Sequence, residues 1–163
     1  MSHCIFKPWI KQNMLNYLND INEFVTPMRA QVLEFVTIRL EAKEKLCAKI
    51  HDRNFYVQCF FSEKCIQDFE SETNWPITSI KGCFIIVKEF SFQFIKDSSL
   101  KSPGYDCFLN IEKFTYTYNF IDENVGYEVK DPSEDPEIKA ALTKLPFSSH
   151  PGGGDGASTY LRG

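Results

Sequence analysis

A chain of 163 residues with 18 basic and 22 acidic side chains carries a formal charge of −4, and 43% of its residues are hydrophobic and 15% aromatic. That much apolar material supports one core of ordinary domain size and excludes a disordered, collagen-like or disulfide-miniature chain. The acidic balance disfavours a protein that lives by neutralising phosphates, since nonspecific nucleic-acid affinity comes mainly from Lys and Arg, and leaves room only for a local basic groove.

Taken in chain order, the opening Met1-Ser2-His3-Cys4-Ile5-Phe6-Lys7-Pro8 lacks the apolar stretch of a signal peptide. No later apolar run approaches the roughly 18 residues that cross a bilayer, so cytosol or nucleus is the expected compartment and no membrane is expected as a partner. The cysteines, Cys4, Cys47, Cys59, Cys65, Cys83 and Cys107, fall singly, without a Cys-x-x-Cys pair or a His at zinc spacing. Reduced thiols packed as small hydrophobes are expected, with no metal and no cofactor.

Over residues 8–24, Ile10, Met14, Leu18 and Ile21 recur at helical spacing behind Pro8, which suits a first turn. Thr26-Pro27 ends this arm, and the β-branched run to Leu40 predicts strand one. Leu46, Ala48 and Ile50 alternate against Lys49 as strand two, His51-Asp52-Arg53-Asn54 reads as a turn, and Phe55, Val57, Cys59 and Phe61 share a face of strand three. Ser62 is a good N-cap for a helix of about three turns carrying Cys65, Ile66 and Phe69 inward. Strand four runs from Gly82 to Phe94, with a parity slip at Lys88-Glu89 that predicts a bulge. After a loop from Ser98 to Gly104, a last strand runs from Tyr105 toward Phe120. Asp131-Pro132-Ser133-Glu134-Asp135-Pro136 reads as an acidic linker, residues 137–145 as a short helix, and the Gly-rich end from Pro151 as a flexible tail.

Three strands, a helix and two long strands is the order of the oligonucleotide/oligosaccharide-binding (OB) barrel. The expected fold is therefore all-β dominated with minor α: a five-stranded OB-fold barrel with a helix between strands three and four, an N-terminal helical arm and a flexible C-terminal tail. The expected division is an arm over 1–28 packing on the barrel, an OB domain over 29–126, and linker, short helix and tail over 127–163.

The segments Lys7-Pro8-Trp9-Ile10-Lys11, Phe61-Ser62-Glu63-Lys64-Cys65-Ile66-Gln67-Asp68-Phe69-Glu70 with Ile77-Thr78-Ser79, and Phe120-Ile121-Asp122-Glu123-Asn124-Val125-Gly126 resemble the small "ever shorter telomeres" OB subunits of budding-yeast telomerase. Their wider relatives are the OB domains of telomere-capping proteins that recruit telomerase. Within that resemblance, a chain of 163 residues suggests the free-standing subunit. The resemblance implies a noncatalytic nuclear protein at telomeres. It would bind the N-terminal domain of the telomerase reverse transcriptase and a companion telomerase regulatory subunit, touching telomerase RNA only indirectly. Carried onto this sequence, the family's partner surface falls on Asp68, Glu70 and Glu72 of the helix, Thr78, Ser79 and Lys81 after it, and Asp122.

Each of these residues also has a plainer reading. Asp68, Glu70 and Glu72 are either an acidic contact patch or a solvated helix face, and Asp122 and Asp52 either serve partners or close turns. Trp9 either anchors a partner or packs the arm on the barrel. Tyr56, Phe60, Tyr116 and Tyr118 would stack bases if they face outward, with Lys49, Arg53 and Lys113 as a thin basic groove. A weak, salt-sensitive nucleic-acid contact is the most this predicts, and a single-strand telomeric binder or a capping-complex component are the alternative functions. His3, His51 and His150 are scattered, and the Gly-rich end lacks the Lys-Ser/Thr ending of a phosphate loop, so no catalytic constellation is expected.

Overall fold

The computed structural model describes residues 7–40, 42–97, 104–117, 128–144 and 159–161. Helix α1, Ile10–Leu18, turns Ile10, Met14 and Tyr17 inward. Asn13 is buried with them because its amide takes both edges of one residue, accepting from Val25 N–H at 2.7 Å and donating to Val25 C=O at 3.2 Å. The expected apolar face through Ile21 is not realised. The helix stops at Leu18, Asp20 takes a left-handed φ of 62°, and Ile21 is left exposed.

Strands β1, Met28–Leu40, and β2, Lys43–His51, pair antiparallel from Gln31↔His51 to Leu40↔Lys43. Strand β3, Tyr56–Phe61, continues the meander, with Ala48↔Cys59 as the pair nearest the start of β2. That pair explains a correction at Leu46. The residue has the parity of buried Ala48 and Ile50, but the ladder with β3 stops at Ala48, and Leu46, two residues beyond it, is exposed.

Helix α2, Glu63–Thr73, begins at Ser62, whose Oγ accepts from Cys65 N–H at 3.1 Å. It ends at Asn74, in the left-handed region at φ 62°, and a 3-10 turn over Ile77–Ile80 follows. Strands β4, Phe84–Asp97, and β5, Gly104–Thr117, form the longest pair, with register shifts on both sides of Glu89, where the apolar parity slips. The first half of β4 pairs with β1, from Met28↔Val87 to Gln31↔Phe84. The parallel pairing of β3 with β5, from Gln58↔Phe108 to Phe61↔Ile111, closes the five strands.

The barrel interior is filled by Ile50, Val57, Cys59, Phe92, Leu109 and Ile111, with Trp9 and Ile10 of the arm in the same cluster. Each such side chain contributes about 1.5–3 kcal/mol on full burial. Phe60, read from sequence as outward-facing, is buried in a second cluster with Cys47, Ile95 and Phe108, its ring tilted against that of Phe108 with centroids 4.9 Å apart. Tyr116 packs edge-on against Phe69 at 5.2 Å, while Tyr118 lies outside the described residues.

The stretch read as an acidic linker is folded. Asp131-Pro132 and Asp135-Pro136 are two successive helix starts, each an Asp cap followed by Pro at the first position. Asp131 accepts from Ser133 N–H at 3.0 Å and opens a 3-10 turn over Pro132–Glu134. Asp135 accepts from the N–H groups of Glu137 and Ile138 and opens α3, Pro136–Thr143. Helix α3 puts Ile138 and Leu142 into the barrel cluster, and Lys11 of α1 reaches Asp135 at 3.1 Å and Glu137 at 2.8 Å. Of the expected tail, a short strand β6, Thr159–Leu161, adds to β4 opposite Gln93–Ile95.

Candidate protein-docking surface

The sequence makes α2 two-sided. Cys65 and Phe69 face the barrel, while Glu63, Lys64, Asp68 and Glu72 are exposed. Asp68 and Glu72, four residues apart, share one side of the helix. Asp68 meets Lys64 at 3.0 Å in a solvent-facing pair that adds little to stability. Glu70 lies off that line and does something else: its Oε2 accepts from Ile77 N–H at 2.9 Å, tying α2 to the start of the 3-10 turn. Beyond that tie, Thr78 and Lys81 are exposed, and Ser79 is half-buried with its hydroxyl turned inward and no hydrogen-bond partner among the described residues. Residues 68–81 thus bring Asp68, Glu72, Thr78 and Lys81 to solvent on one continuous stretch. Asp122 lies outside the described residues.

Trp9 is fully buried, and its Nε1 donates to Arg29 C=O at 2.6 Å, so its ring is part of the core. The fully buried Asp52 holds it there. One carboxylate oxygen accepts from Trp9 and Ile10 N–H at 2.7 and 2.8 Å, and the other from Asn54 and Phe55 N–H at 3.0 and 2.9 Å. It closes the β2–β3 turn and caps α1 with one side chain. Next to it, buried His51 pairs through Nε2 with Gln31 Oε1 at 2.9 Å and accepts at Nδ1 from Arg53 N–H at 3.0 Å. Burial lowers the His51 pKa, against a smaller raising effect of Asp52.

The residues read as a basic groove have the following places. Lys49 sits 3.5 Å from Glu34 and stacks over the Tyr56 ring at 4.6 Å. Burial raises the Tyr56 pKa, and Asp131 raises it further as a charge and hydrogen-bond partner. Arg53 occupies the β2–β3 turn at φ 85°, and Lys113 lies opposite Glu89 in the β4–β5 register. The thiols behave as buried apolar groups: burial pushes Cys47 and Cys65 up to about 11. Among the described residues no group of His, Cys, Asp or Glu is placed to hold a metal ion, and no helix is long and apolar enough to cross a membrane.

One surface feature was missed in the sequence. Trp75, just past the end of α2, is 49% exposed. The signal was there, a Trp-Pro pair following a polar helix end.

This is an OB-fold protein with an acidic helix side facing solvent. It belongs to the family of the shelterin complex subunit TPP1/ACD, whose family model matches residues 6–144. The chain is 29% identical over 122 residues to the protection of telomeres protein tpz1 of Schizosaccharomyces pombe. That match covers 71% of this chain and 22% of the relative, so the chain spans about a fifth of that protein's length. Among solved structures, the Est3 telomerase subunit of the yeast Hansenula polymorpha is similar in fold, with a TM-score of 0.58 over 92% of each chain at 18% identity. The OB barrel and the telomere family expected from the sequence are both found.

Proposed function

We propose that this protein docks the N-terminal domain of the telomerase reverse transcriptase through the α2 side of its barrel, and so helps recruit or activate the enzyme at chromosome ends. It acts in the nucleus as a noncatalytic subunit, beside a companion telomerase regulatory subunit, with telomerase RNA reached only through its partners. The observation that carries this reading is the joint exposure of Asp68, Glu72, Thr78 and Lys81 on one stretch, in a chain of a telomere-protein family. Acidic groups arrayed this way raise the on-rate to a basic partner and fix its register.

The test is a pull-down of the full chain with the isolated N-terminal domain of the cognate reverse transcriptase, beside a telomeric single-strand oligonucleotide at physiological salt. Binding to the protein, weakened by Asp68→Lys with Glu72→Lys, supports the docking surface. Binding to the oligonucleotide alone moves function to the barrel groove and discards the reading.

A second reading, membership of a telomere-capping complex, is favoured by the sequence match to tpz1. Co-purification with telomere-bound proteins in the absence of telomerase RNA would select it.

A further inference from the structure

Trp75 adds a specific element to the α2 side. A lone exposed aromatic is ordinary on a protein surface. This one differs in sitting on a backbone segment that its neighbours hold before any partner arrives. Asn74, in the left-handed region, donates its N–H to Glu70 C=O at 2.9 Å. Trp75 N–H donates to Thr73 Oγ1 at 3.1 Å, and that hydroxyl donates to Phe69 C=O at 2.8 Å. Pro76 fixes the next φ at −67°, and the following N–H, of Ile77, is held by Glu70. The segment that presents the indole is therefore set in place, which removes much of the ordering cost of docking.

Its surroundings define what could cover it. Over residues 63–81 the acidic side chains are Glu63, Asp68, Glu70 and Glu72 and the basic ones Lys64 and Lys81, a net charge of −2. We propose that Trp75 is the apolar anchor of this surface, and that the partner offers an apolar cleft rimmed by Lys or Arg side chains. The exposed part of the indole would enter that cleft while cations on its rim meet Glu72 and Asp68. This rests on the reading that the α2 side docks the reverse transcriptase domain, and it names the residue on which that docking turns.

The chain has two tryptophans, one fully buried and one exposed, so each can report separately. The full chain labelled with 5-fluorotryptophan gives two 19F resonances, the Trp75 one assigned with Trp75→Phe. On addition of the unlabelled reverse transcriptase domain, the Trp75 resonance should shift and lose its solvent isotope effect while that of Trp9 stays in place. Trp75→Ala should weaken binding by about 30-fold or more at unchanged melting temperature, and Trp75→Phe by less. Wild-type binding with an unmoved Trp75 resonance, or wild-type affinity in Trp75→Ala, overturns the anchor and leaves the docking reading standing. Failure of the wild-type chain to bind overturns both.

Discussion

Asp52 and Trp9 are joined by a buried hydrogen bond of 2.7 Å across 43 residues of sequence, from the backbone N–H of the arm to a carboxylate in the β2–β3 turn. The same oxygen accepts from Ile10, and the other oxygen serves Asn54 and Phe55. Removing this carboxylate strands buried donors in both elements at once. Asp52→Ala should therefore cost about 3 kcal/mol or more and lower the melting temperature by roughly 6–12 °C. A thermal melt by circular dichroism checks it, and a loss of the proposed partner binding in such a variant would then be a folding defect.

Glu70 and Asp68 should respond differently to substitution although both are exposed acids on one helix. Glu70→Gln keeps an acceptor for Ile77 N–H and the position of the 3-10 turn, so partner binding should fall little. Glu70→Ala releases the turn, and its binding loss should come with a faster dissociation rate. Asp68→Lys leaves the turn intact and should instead slow association, most strongly at low salt. Surface plasmon resonance across a salt series separates the three.

His51 links stability to pH. Its folded-state pKa lies below the ordinary imidazole value of about 6.5, chiefly because it is buried. Below pH 6.5 the unfolded chain takes up a proton that the folded one resists, so stability is full above that value and declines as the pH falls toward the folded pKa. Melting temperature should drop between pH 7.5 and 5.5, and His51→Gln should flatten that drop. Equal slopes in the two proteins would assign the effect to other groups.

The short C-terminal helix should matter to the barrel. Ile138 is fully buried in the main cluster, so Ile138→Ala should cost about 2–5 kcal/mol, as a buried truncation in any core does. Chemical denaturation at unchanged m-value is the measurement.

The thiols should be inert while the protein is folded. A thiol near 11, as at Cys47 and Cys65, is ionised to only about one part in three thousand at pH 7.5. Iodoacetamide mapped by mass spectrometry should label both residues slowly in buffer and rapidly in urea.

Local rules sufficed for much of this fold. Alternation gave the β2–β3 hairpin, Ser62 gave the start of α2, and the parity slip at Glu89 gave the irregularity of β4. What escaped depended on distant partners. Leu46 obeys the strand rule yet is exposed, two residues outside the β2–β3 ladder. Asp52 looks like any turn residue until Trp9 and Ile10 arrive from the arm. The two Asp-Pro steps stand in an acidic run with the composition of a linker, and their caps are used because α3 packs against α1, whose Lys11 meets Asp135 and Glu137. On the α2 side, the acids were legible as candidates. The tie between Glu70 and Ile77, and the bonds that hold the backbone at Trp75, have no signature in the local pattern.

The parallel seam between β3 and β5 also bears on how the chain reaches this structure. The two partners are separated in sequence by α2, the 3-10 turn and the whole of β4, so the ring cannot close until β5 has been made. Local hairpins form in microseconds, whereas a seam of this separation places the domain among folders that take milliseconds to seconds. During synthesis, β3 emerges from the ribosome with one edge unpaired and waits there for its final neighbour.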